Sequence, residues 1–266
     1  MSTTDVEELK GKLVLVTGGG RGIGRSIALA FAAQGSRVVI TGRNQATLDD
    51  VAYEIRHLGA KAKALPLPCD ITRKQEVESL NREVTRRLGA VQILVNNAGI
   101  APAVSFLEMD DRLWEEVLKV NLTGTYYCCK VFLPGMIATG WGRVINIAST
   151  VAKVAYSHIS AYTTSKHAVL GLTRALALEM ARTGVTVNAI CPGYVDTELT
   201  LNNVRLMAEK TGKRVEEILK LFKGTSPQNR LIAPEEVADV AVMLSSKAAD
   251  GMTGQAINVD GGAVMV

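Results

Sequence analysis

The sequence lacks the features of a secreted, metal-dependent or nucleic-acid-binding protein. Its four cysteines show no Cys-x-x-Cys or other metal-ligand spacing, and its three histidines form no cluster with cysteines or carboxylates. We therefore expect reduced thiols and no metal site. The net charge is +4, but no run of five or more basic residues occurs and no aromatic residues alternate with basic ones. This pattern argues against a nucleic-acid partner.

Long hydrophobic runs are also absent. No apolar stretch approaches the ~20 residues that a membrane-spanning helix needs, and the polar, acidic start MSTTDVEELKGK is unlike a signal peptide. We expect a soluble, cytoplasmic protein with no membrane partner. Hydrophobic residues still make up 47% of the 266 residues, which is enough for one large core.

Short β-branched runs alternate with longer segments of helical periodicity. In the helical segments, residues such as Leu48, Val51, Ala52 and Ile55 recur at the three- and four-residue spacing of one helix face. The short runs fit parallel strands that are buried on both faces. The alternation predicts one α/β domain, residues 1–266, with a doubly wound, seven-stranded parallel sheet and helices on both faces. The predicted strands are 12–17, 37–41, 62–67, 91–96, 142–149, 185–191 and 255–260.

The glycine-rich stretch TGGGRGIG, Thr17–Gly24, follows the first predicted strand and precedes a predicted amphipathic helix. In a doubly wound sheet, ligands bind beyond the carboxyl ends of the strands. Glycines at this turn allow backbone N–H groups to approach a phosphate at the helix N-terminus. A glycine pattern alone is a weak signal, because a simple turn has the same composition. The flanking strand and helix favour a phosphate site.

Six further motifs follow the glycine loop in order: CDIT (69–72), NNAG (96–99), KVNLTG (119–124), INIAS (145–149), YTTSK (162–166) and CPGYVDT (191–197). Together with the glycine spacing, they resemble the short-chain dehydrogenase/reductase family, in particular its 3-oxoacyl-carrier-protein reductases and polyketide ketoreductases. The resemblance covers almost the whole chain. It implies a Rossmann-type domain that transfers a hydride between a nicotinamide cofactor and a ketone or secondary alcohol.

The end of the second predicted strand bears on the choice of cofactor. Gly42 occupies the place where NAD-using relatives carry an aspartate for the ribose hydroxyls. Arg43 follows, and its guanidinium suits a 2′-phosphate, which a carboxylate would repel. We expect Arg21, in the glycine loop, to approach the same phosphate from the other side. The predicted cofactor is NADP(H), although two solvated surface arginines would give the same pattern.

The resemblance implies that the cofactor site extends along the ends of several strands. Asp70 and Ile71 resemble adenine contacts, the segment that starts at Asn96 resembles the nicotinamide-ribose side, and CPGYVDT resembles the segment that positions the carboxamide ring. The residues expected to bind the cofactor are Gly18, Gly20, Arg21, Gly22, Ile23, Gly24, Arg43, Asp70, Ile71, Asn97, Ala98, Gly99, Tyr162, Lys166, Pro192, Gly193, Val195 and Thr197.

The candidate general acid is Tyr162, because Lys166 lies four residues later on the same helix face. The lysine ammonium is expected to lower the phenol pKa from near 10 towards working pH. The phenol could then give a proton to a carbonyl or take one from an alcohol. Tyr126 and Lys130 have the same spacing, so we use a third residue to distinguish them. Ser149, at the end of a predicted strand thirteen residues before Tyr162, can hydrogen-bond the substrate oxygen.

Tyr126 lacks such a serine and is expected in the core or in an interface. Asn121 interrupts an apolar helical segment, where asparagine is mildly unfavourable because its side chain competes for backbone groups. The resemblance implies that Asn121 helps to hold a water in a proton relay with the lysine, which makes it the fourth candidate catalytic residue. His158 and His167 are expected to be structural.

Residues 194–230 are expected to form a lid over the substrate. The segment NNVRLMAEKTGKRVEEILKLF offers apolar walls and a basic rim. This suits a medium-sized hydrophobic ketone, such as a 3-oxoacyl thioester, either free or attached to an anionic carrier. The lid length resembles 3-hydroxybutyrate dehydrogenases. However, the stretches 101–103, 150–153 and 157–160 lack most of the polar groups with which those enzymes hold a free carboxylate.

Three alternatives remain open. The protein could be an NAD-dependent dehydrogenase of the 3-hydroxybutyrate type, a cyclic-alcohol dehydrogenase, or a catalytically idle NADP-binding regulator. Ser149, Tyr162 and Lys166 are all present, which favours an enzyme over an idle relative.

Two predicted helices, residues 110–138 and 160–181, carry more apolar residues than one sheet face requires. Surplus apolar surface indicates a subunit interface, and the family resemblance implies dimers or tetramers built through such helices. We expect a homotetramer with two-fold axes. The apolar residues concerned are Leu118, Leu122, Tyr126, Tyr127, Val131, Phe132, Val169, Leu170, Leu172, Leu176 and Leu178.

Overall fold

The computed structural model describes residues 8–59 and 63–266, so residues 1–7 of the acidic start and residue 62 of the third predicted strand lie outside the described residues. The described part contains seven strands in a single parallel sheet, in the order β3-β2-β1-β4-β5-β6-β7 defined by the ranges that follow. The order reverses between β1 and β4, which is the switch point where ligands bind in such sheets. The predicted fold class is confirmed. The strands are β1 (Leu13–Thr17), β2 (Arg37–Gly42), β3 (Lys63–Pro68), β4 (Ile93–Asn96), β5 (Gly142–Ile147), β6 (Val185–Pro192) and β7 (Ala256–Val259).

Nine α-helices lie within the described residues. A π-helical turn, Lys119–Thr123, separates the fourth helix from the fifth. The α-helices are α1 (Gly22–Ala33), α2 (Gln45–His57), α3 (Lys74–Leu88), α4 (Asp111–Leu118), α5 (Gly124–Ala138), α6 (Ser160–Met180), α7 (Glu198–Thr211), α8 (Val215–Gly224) and α9 (Pro234–Ser245).

The alternation of side chains along β1 explains why both faces of the sheet are covered. Val14 and Val16 pack into a core shared with α1, α2 and α9. Leu13 and Leu15 point the other way, into a core shared with α3, α5 and α6. The apolar run LVLV is therefore buried completely, as the sequence predicts for a central parallel strand.

Some of the apolar residues that suggested an interface are part of this core. Phe132, Val169 and Leu170 are each less than 5% exposed, so the apolar surplus on α5 and α6 is smaller than the sequence indicates. Tyr126 is 40% exposed and Leu178 is 82% exposed. Tyr126 is therefore not a core residue, which corrects one of the two expectations for it.

The segment expected to form the lid contains α7 and α8, which pack against each other. Their contact is a small cluster of Val204, Ala208 and Ile218, with Leu219 and Phe222 at its edge. This cluster is separate from the two cores of the sheet. The two helices therefore have a small apolar cluster of their own.

Residues 8–59 and 63–266 contain neither a membrane-spanning helix nor a metal-ligand cluster. No helix there is both long and apolar enough to cross a membrane. No group of three or more histidines, cysteines and carboxylates there could hold a metal ion.

Candidate active site

The glycine loop lies so close to its neighbours that side chains would not fit. Gly18 has a φ of +64°, and a Cβ atom there would lie 2.9 Å from Nδ2 of Asn97. A Cβ at Gly24 would lie 2.3 Å from the carbonyl oxygen of Gly18, and one at Gly20 would lie 2.6 Å from Oγ1 of Thr47. The loop leaves the start of α1 bare of side chains at these positions, which fits a site for a phosphate group.

Hydrogen bonds join this loop to the NNAG segment after β4. Oγ1 of Thr17 accepts from the backbone N–H groups of Asn97 (3.0 Å) and Ala98 (3.1 Å). Nδ2 of Asn97 donates in return to the carbonyl oxygens of Thr17 (2.9 Å) and Gly18 (3.1 Å). The side chain of Asn97 therefore holds the loop in place. The crevice beside this loop, at the switch point between β1 and β4, is called the groove below.

Two charged side chains lie after the ends of β2 and β3. Arg43 is exposed after β2, and it lies close enough to Asp70 to affect its ionisation. Although burial opposes the shift, hydrogen bonds from Thr72 and the charge of Arg43 lower the pKa of Asp70. Ile71 is buried. Its side chain packs against the first residue of α5, Gly124, where a Cβ atom would lie only 2.6 Å from Cδ1 of Ile71.

Arg21 forms an ion pair with the start of α7. Its guanidinium Nη1 lies 3.6 Å from Oε2 of Glu198, the first residue of α7. That Arg21 and Arg43 approach one phosphate from two sides concerns the protein with cofactor bound, and it stays a prediction. Ile23, two residues later, packs against the core at the start of α1.

The CPGYVDT segment runs from the end of β6 to the glycine loop. Pro192 is the last residue of β6, and Gly193 donates its N–H to a carbonyl of β7. Val195 is buried. Thr197 caps α7, and a Cβ at Gly22 would lie only 3.3 Å from its methyl carbon. The segment and the loop thus border the same groove.

Three of the four candidate catalytic residues meet at the carboxyl end of β5. Ser149 lies two residues after β5, and its hydroxyl hydrogen-bonds the phenol of Tyr162 on α6. Nζ of Lys166 donates to the carbonyl oxygen of Ile147 (2.7 Å) and lies 5.7 Å from the centre of the Tyr162 ring. Oγ of Ser149 also accepts from the N–H of Val151 (3.3 Å), which fixes the hydroxyl further.

Asn121 lies in the π-helical turn and reaches the same place. Its amide accepts from the N–H of Ile100 and donates to its carbonyl, both at 2.9 Å, and also donates to Oγ of Ser165 on α6 (3.0 Å). A Cβ at Gly99 would lie 3.1 Å from Oδ1 of Asn121 and 3.7 Å from Nζ of Lys166. The irregular turn therefore brings Asn121 next to the lysine, as π-bulges at functional sites often do.

The ionisation of the pair differs from the sequence-based expectation. Burial raises the pKa of Tyr162 to about 12, and the hydrogen bond with Ser149 opposes this only in part. Burial lowers the pKa of Lys166 to about 8. The expectation that the lysine lowers the phenol pKa is therefore wrong for the protein without ligand, because both groups lose water when they are buried. At neutral pH, Tyr162 is a protonated phenol.

The second tyrosine–lysine pair has a different setting. Nζ of Lys130 donates to the hydroxyl of Tyr126 (3.0 Å) on the exposed side of α5, and this hydrogen bond lowers the pKa of Tyr126. The same spacing therefore gives different contacts, because Lys130 hydrogen-bonds the exposed Tyr126, whereas Lys166 donates to the backbone at the end of β5, near Ser149 and the buried Tyr162.

Aromatic side chains lie beside the candidate acid. Tyr194, after β6, stacks on Phe222 of α8 with ring centres 4.3 Å apart. Burial raises the pKa of Tyr194, and the neighbouring Tyr156 raises it further. Tyr194 in turn raises the pKa of Tyr162, so it lies within electrostatic reach of that phenol. Two aromatic rings, Tyr194 and Phe222, therefore lie near the candidate proton donor.

Two backbone contacts shape the mouth of the site. Nζ of Lys210, near the end of α7, donates to the carbonyl oxygen of Ala103 in the loop after NNAG (3.4 Å). The same loop donates the N–H of Val104 to the carbonyl oxygen of His158 (2.7 Å), whose φ is +66°. His158 thus connects the loops on the two sides of the mouth through its backbone.

Sequence reasoning missed four residues of this site. Thr17 hydrogen-bonds the backbone after β4, and Ser165 hydrogen-bonds Asn121. Glu198 forms an ion pair with Arg21, and Tyr194 packs against Phe222. A buried hydroxyl at the end of the first strand is the signal that could have indicated Thr17. The other three have no signal in the local sequence pattern.

The chain is similar to known proteins along almost its whole length. The family described as short chain dehydrogenase matches residues 12–207. A D-beta-hydroxybutyrate dehydrogenase from Cupriavidus necator is 39% identical over 255 residues, which cover 96% of this chain and 98% of the relative. A 3-oxoacyl-(acyl-carrier-protein) reductase from Aquifex aeolicus is 39% identical over 256 residues, with the same coverage of 96% and 98%.

The solved structure of an actinorhodin polyketide ketoreductase variant with NADPH superposes with a TM-score of 0.92. It is 38% identical, and the match covers 99% of each chain. With a family match over most of the sequence and relatives of this identity along almost its whole length, the chain belongs to the short-chain dehydrogenase family.

Proposed function

We propose that this protein is an NADP(H)-dependent ketoreductase that interconverts a hydrophobic ketone and its secondary alcohol. The observation that carries the proposal is the protonated phenol of Tyr162, hydrogen-bonded to Ser149 at the end of β5. Lys166 and Asn121 lie next to each other beside this pair. This arrangement can deliver a proton to a carbonyl oxygen at the edge of the groove that the glycine loop borders.

The residues that border the groove suit a dinucleotide. The glycine loop would hold the phosphates, the segment at Asp70 the adenine, and the backbone after Asn97 together with the segment 192–197 the nicotinamide half. When bound, the cofactor supplies or takes up the hydride. The lack of a carboxylate at Gly42 and the exposed guanidinium of Arg43 favour NADP(H) over NAD(H).

The protein's own groups handle the proton. The phenol of Tyr162, with a pKa near 12, keeps its proton at neutral pH and donates it to the carbonyl oxygen as negative charge develops there. The hydroxyl of Ser149 hydrogen-bonds the same oxygen. The ammonium of Lys166 then stabilises the phenolate that remains. Asn121 positions the lysine and, by family resemblance, holds the water through which Tyr162 regains a proton.

A medium-sized hydrophobic ketone, such as a 3-oxoacyl thioester, is the substrate class that the site favours. Tyr194 and Phe222 supply an apolar wall beside Tyr162. A 3-hydroxybutyrate-type activity is the second candidate, because relatives from two organisms have that name. By family resemblance, that activity holds a free carboxylate with polar groups in the stretches 101–103, 150–153 and 157–160, but Nζ of Lys153 already donates to backbone oxygens of Ala256 (2.8 Å) and Val266 (2.6 Å).

We also propose that residues 194–230 act as the substrate lid and that the protein is a homotetramer. The first proposal is supported by the separate packing of α7 and α8 and by the contact of Lys210 with Ala103. The second is supported by the exposed Leu178 on α6.

A panel of substrates followed by NADPH absorbance tests the function. We expect turnover of 3-oxoacyl thioesters and other medium-sized hydrophobic ketones, with little oxidation of free 3-hydroxybutyrate. Matched assays with NADH and with Tyr162→Phe separate cofactor choice from catalysis. Faster oxidation of 3-hydroxybutyrate with NAD than reduction of any ketone with NADPH would contradict the proposal.

A further inference from the structure

Glu198 places a carboxylate against the arginine of the glycine loop. Its Oε2 lies 3.6 Å from Nη1 of Arg21, and the two side chains are 65% and 73% exposed, respectively. Glu198 is the first residue of α7, directly after the capping residue Thr197, which itself lies against Gly22. The backbone therefore holds this carboxylate at the rim of the groove.

The contact between the two side chains is a charge attraction without a hydrogen bond. A separation of 3.6 Å exceeds hydrogen-bond length, and exposed ion pairs of this kind contribute little free energy. A phosphate offers Arg21 more charge and a bidentate hydrogen bond. Arg21 can therefore leave Glu198 when such a ligand arrives, although the exchange reduces the net gain in binding.

Glu198 does not depend on Arg21 for its own position. Acidic side chains are stabilised in the first turn of a helix by the helix dipole, and Thr197 caps this turn by accepting from the N–H of Thr200 (3.4 Å). The carboxylate therefore stays near the loop whether or not Arg21 contacts it. It competes with any anion for the same guanidinium.

We propose that Glu198 lowers the affinity for the cofactor by competing with its 2′-phosphate for Arg21. This inference rests on the proposed NADP(H) function and adds a residue that sets cofactor affinity from outside the nucleotide-binding motifs. Glu198 acts through Arg21 and not by contact with the reacting atoms, so it is a positioning residue. Removal of the Glu198 carboxylate leaves Arg21 without this ion pair before the cofactor binds, so that Arg21 is free to bind the phosphate.

A double-mutant cycle tests the proposal by direct binding. The dissociation constants of NADPH and NADH are measured by fluorescence titration for wild type, Glu198→Gln, Arg21→Ala and the double variant. Glu198→Gln should tighten NADPH binding about two- to fivefold, the range that exposed ion pairs span. It should tighten NADH binding less. In the Arg21→Ala background the effect of Glu198→Gln should disappear, because the arginine for which Glu198 and the phosphate compete is absent.

Two further variants serve as controls. Glu209→Gln removes another exposed carboxylate from the same helix and should leave both dissociation constants unchanged. Glu198→Ser removes the charge with a different side chain and should reproduce the tightening. Unchanged NADPH binding in Glu198→Gln, or tightening that persists without Arg21, would overturn the proposal. Equal tightening for both cofactors would contradict the link to the 2′-phosphate.

The wild-type measurements separate this inference from the proposed function. Tighter binding of NADH than of NADPH by the wild type would contradict the NADP(H) assignment, whatever Glu198 does. A preference for NADPH with no effect of Glu198→Gln would leave that assignment intact and overturn only the role of Glu198.

Discussion

The ammonium of Lys166 donates a hydrogen bond of 2.7 Å to the carbonyl oxygen of Ile147, the last residue of β5. This bond joins α6 to the strand end that leads to Ser149. Because Tyr162 lies one helical turn before Lys166, the same bond sets the position of the phenol relative to the serine. The lysine therefore has a structural role in addition to its charge.

Burial of Lys166 makes the stability of the protein depend on pH. Its pKa is about 8 in the folded protein and 10.5 when exposed, so the unfolded chain binds more protons between these two pH values. The contribution of Lys166 to the free energy of unfolding therefore rises with pH across this window, by about 3 kcal/mol. Lys166→Met should lack this rise in urea unfolding experiments on cofactor-free protein. If the free energy of unfolding had the same pH dependence in both proteins, the lowered pKa of Lys166 would be contradicted.

The hydroxyl of Thr17 is expected to stabilise the fold. It accepts from the N–H groups of Asn97 and Ala98 and is almost completely buried. Thr17→Val would leave both donors without a partner, so we expect a loss of about 1–3 kcal/mol in the free energy of unfolding. Urea denaturation measures the loss. Thr85→Val, at an exposed site on α3, should cost less than about 0.5 kcal/mol. Equal losses would refute the role of Thr17.

Arg43 is expected to determine the cofactor preference. Arg43→Ala should weaken NADPH binding by about 1.5–3 kcal/mol, the loss of a charged hydrogen bond, with little effect on NADH. Titration calorimetry with both cofactors measures the difference. Arg56→Ala removes an exposed arginine from α2 and should change neither affinity. An equal loss for NADPH and NADH in Arg43→Ala would remove the basis of the NADP(H) assignment.

Leu178 tests the proposed assembly. It is 82% exposed on α6, one of the two helices expected at the interface. Light scattering at micromolar concentration should give the mass of four chains for the wild type, and Leu178→Arg should give a smaller assembly because a buried charge destabilises the contact. Leu58→Arg, at an apolar site after α2 that is 51% exposed, should leave the mass unchanged. A monomeric wild type would contradict the proposal.

The sequence predicted the sheet because its signals are local. The run LVLV and the three- to four-residue periodicity of Leu48, Val51 and Ile55 depend only on neighbouring residues and on which faces are buried. The positions of Ser149 and Tyr162 followed as well, since strand ends and helix starts meet at one edge of a parallel sheet.

The sequence could not predict features that depend on packing between distant segments. The bond between Asn97 and Thr17 spans 80 residues, and the direction of Arg21 depends on where α7 begins. The pKa values of Tyr162 and Lys166 follow from burial, which a spacing of four residues does not reveal. The π-helical turn at Asn121 has only one local sign, a polar residue in an apolar helix.

The most direct test of the central claim compares variants of two tyrosines that share the spacing to a lysine but differ in their surroundings. Tyr162 and Tyr126 each precede a lysine by four residues, but only Tyr162 hydrogen-bonds a serine at a strand end. With NADPH and a reactive ketone, Tyr162→Phe should lower kcat at least about a hundredfold, the scale of general acid catalysis. NADPH affinity should stay unchanged, because only the hydroxyl is removed. Tyr126→Phe should retain wild-type kcat. Loss of turnover in Tyr126→Phe, with activity kept in Tyr162→Phe, would show that the acid is the other tyrosine.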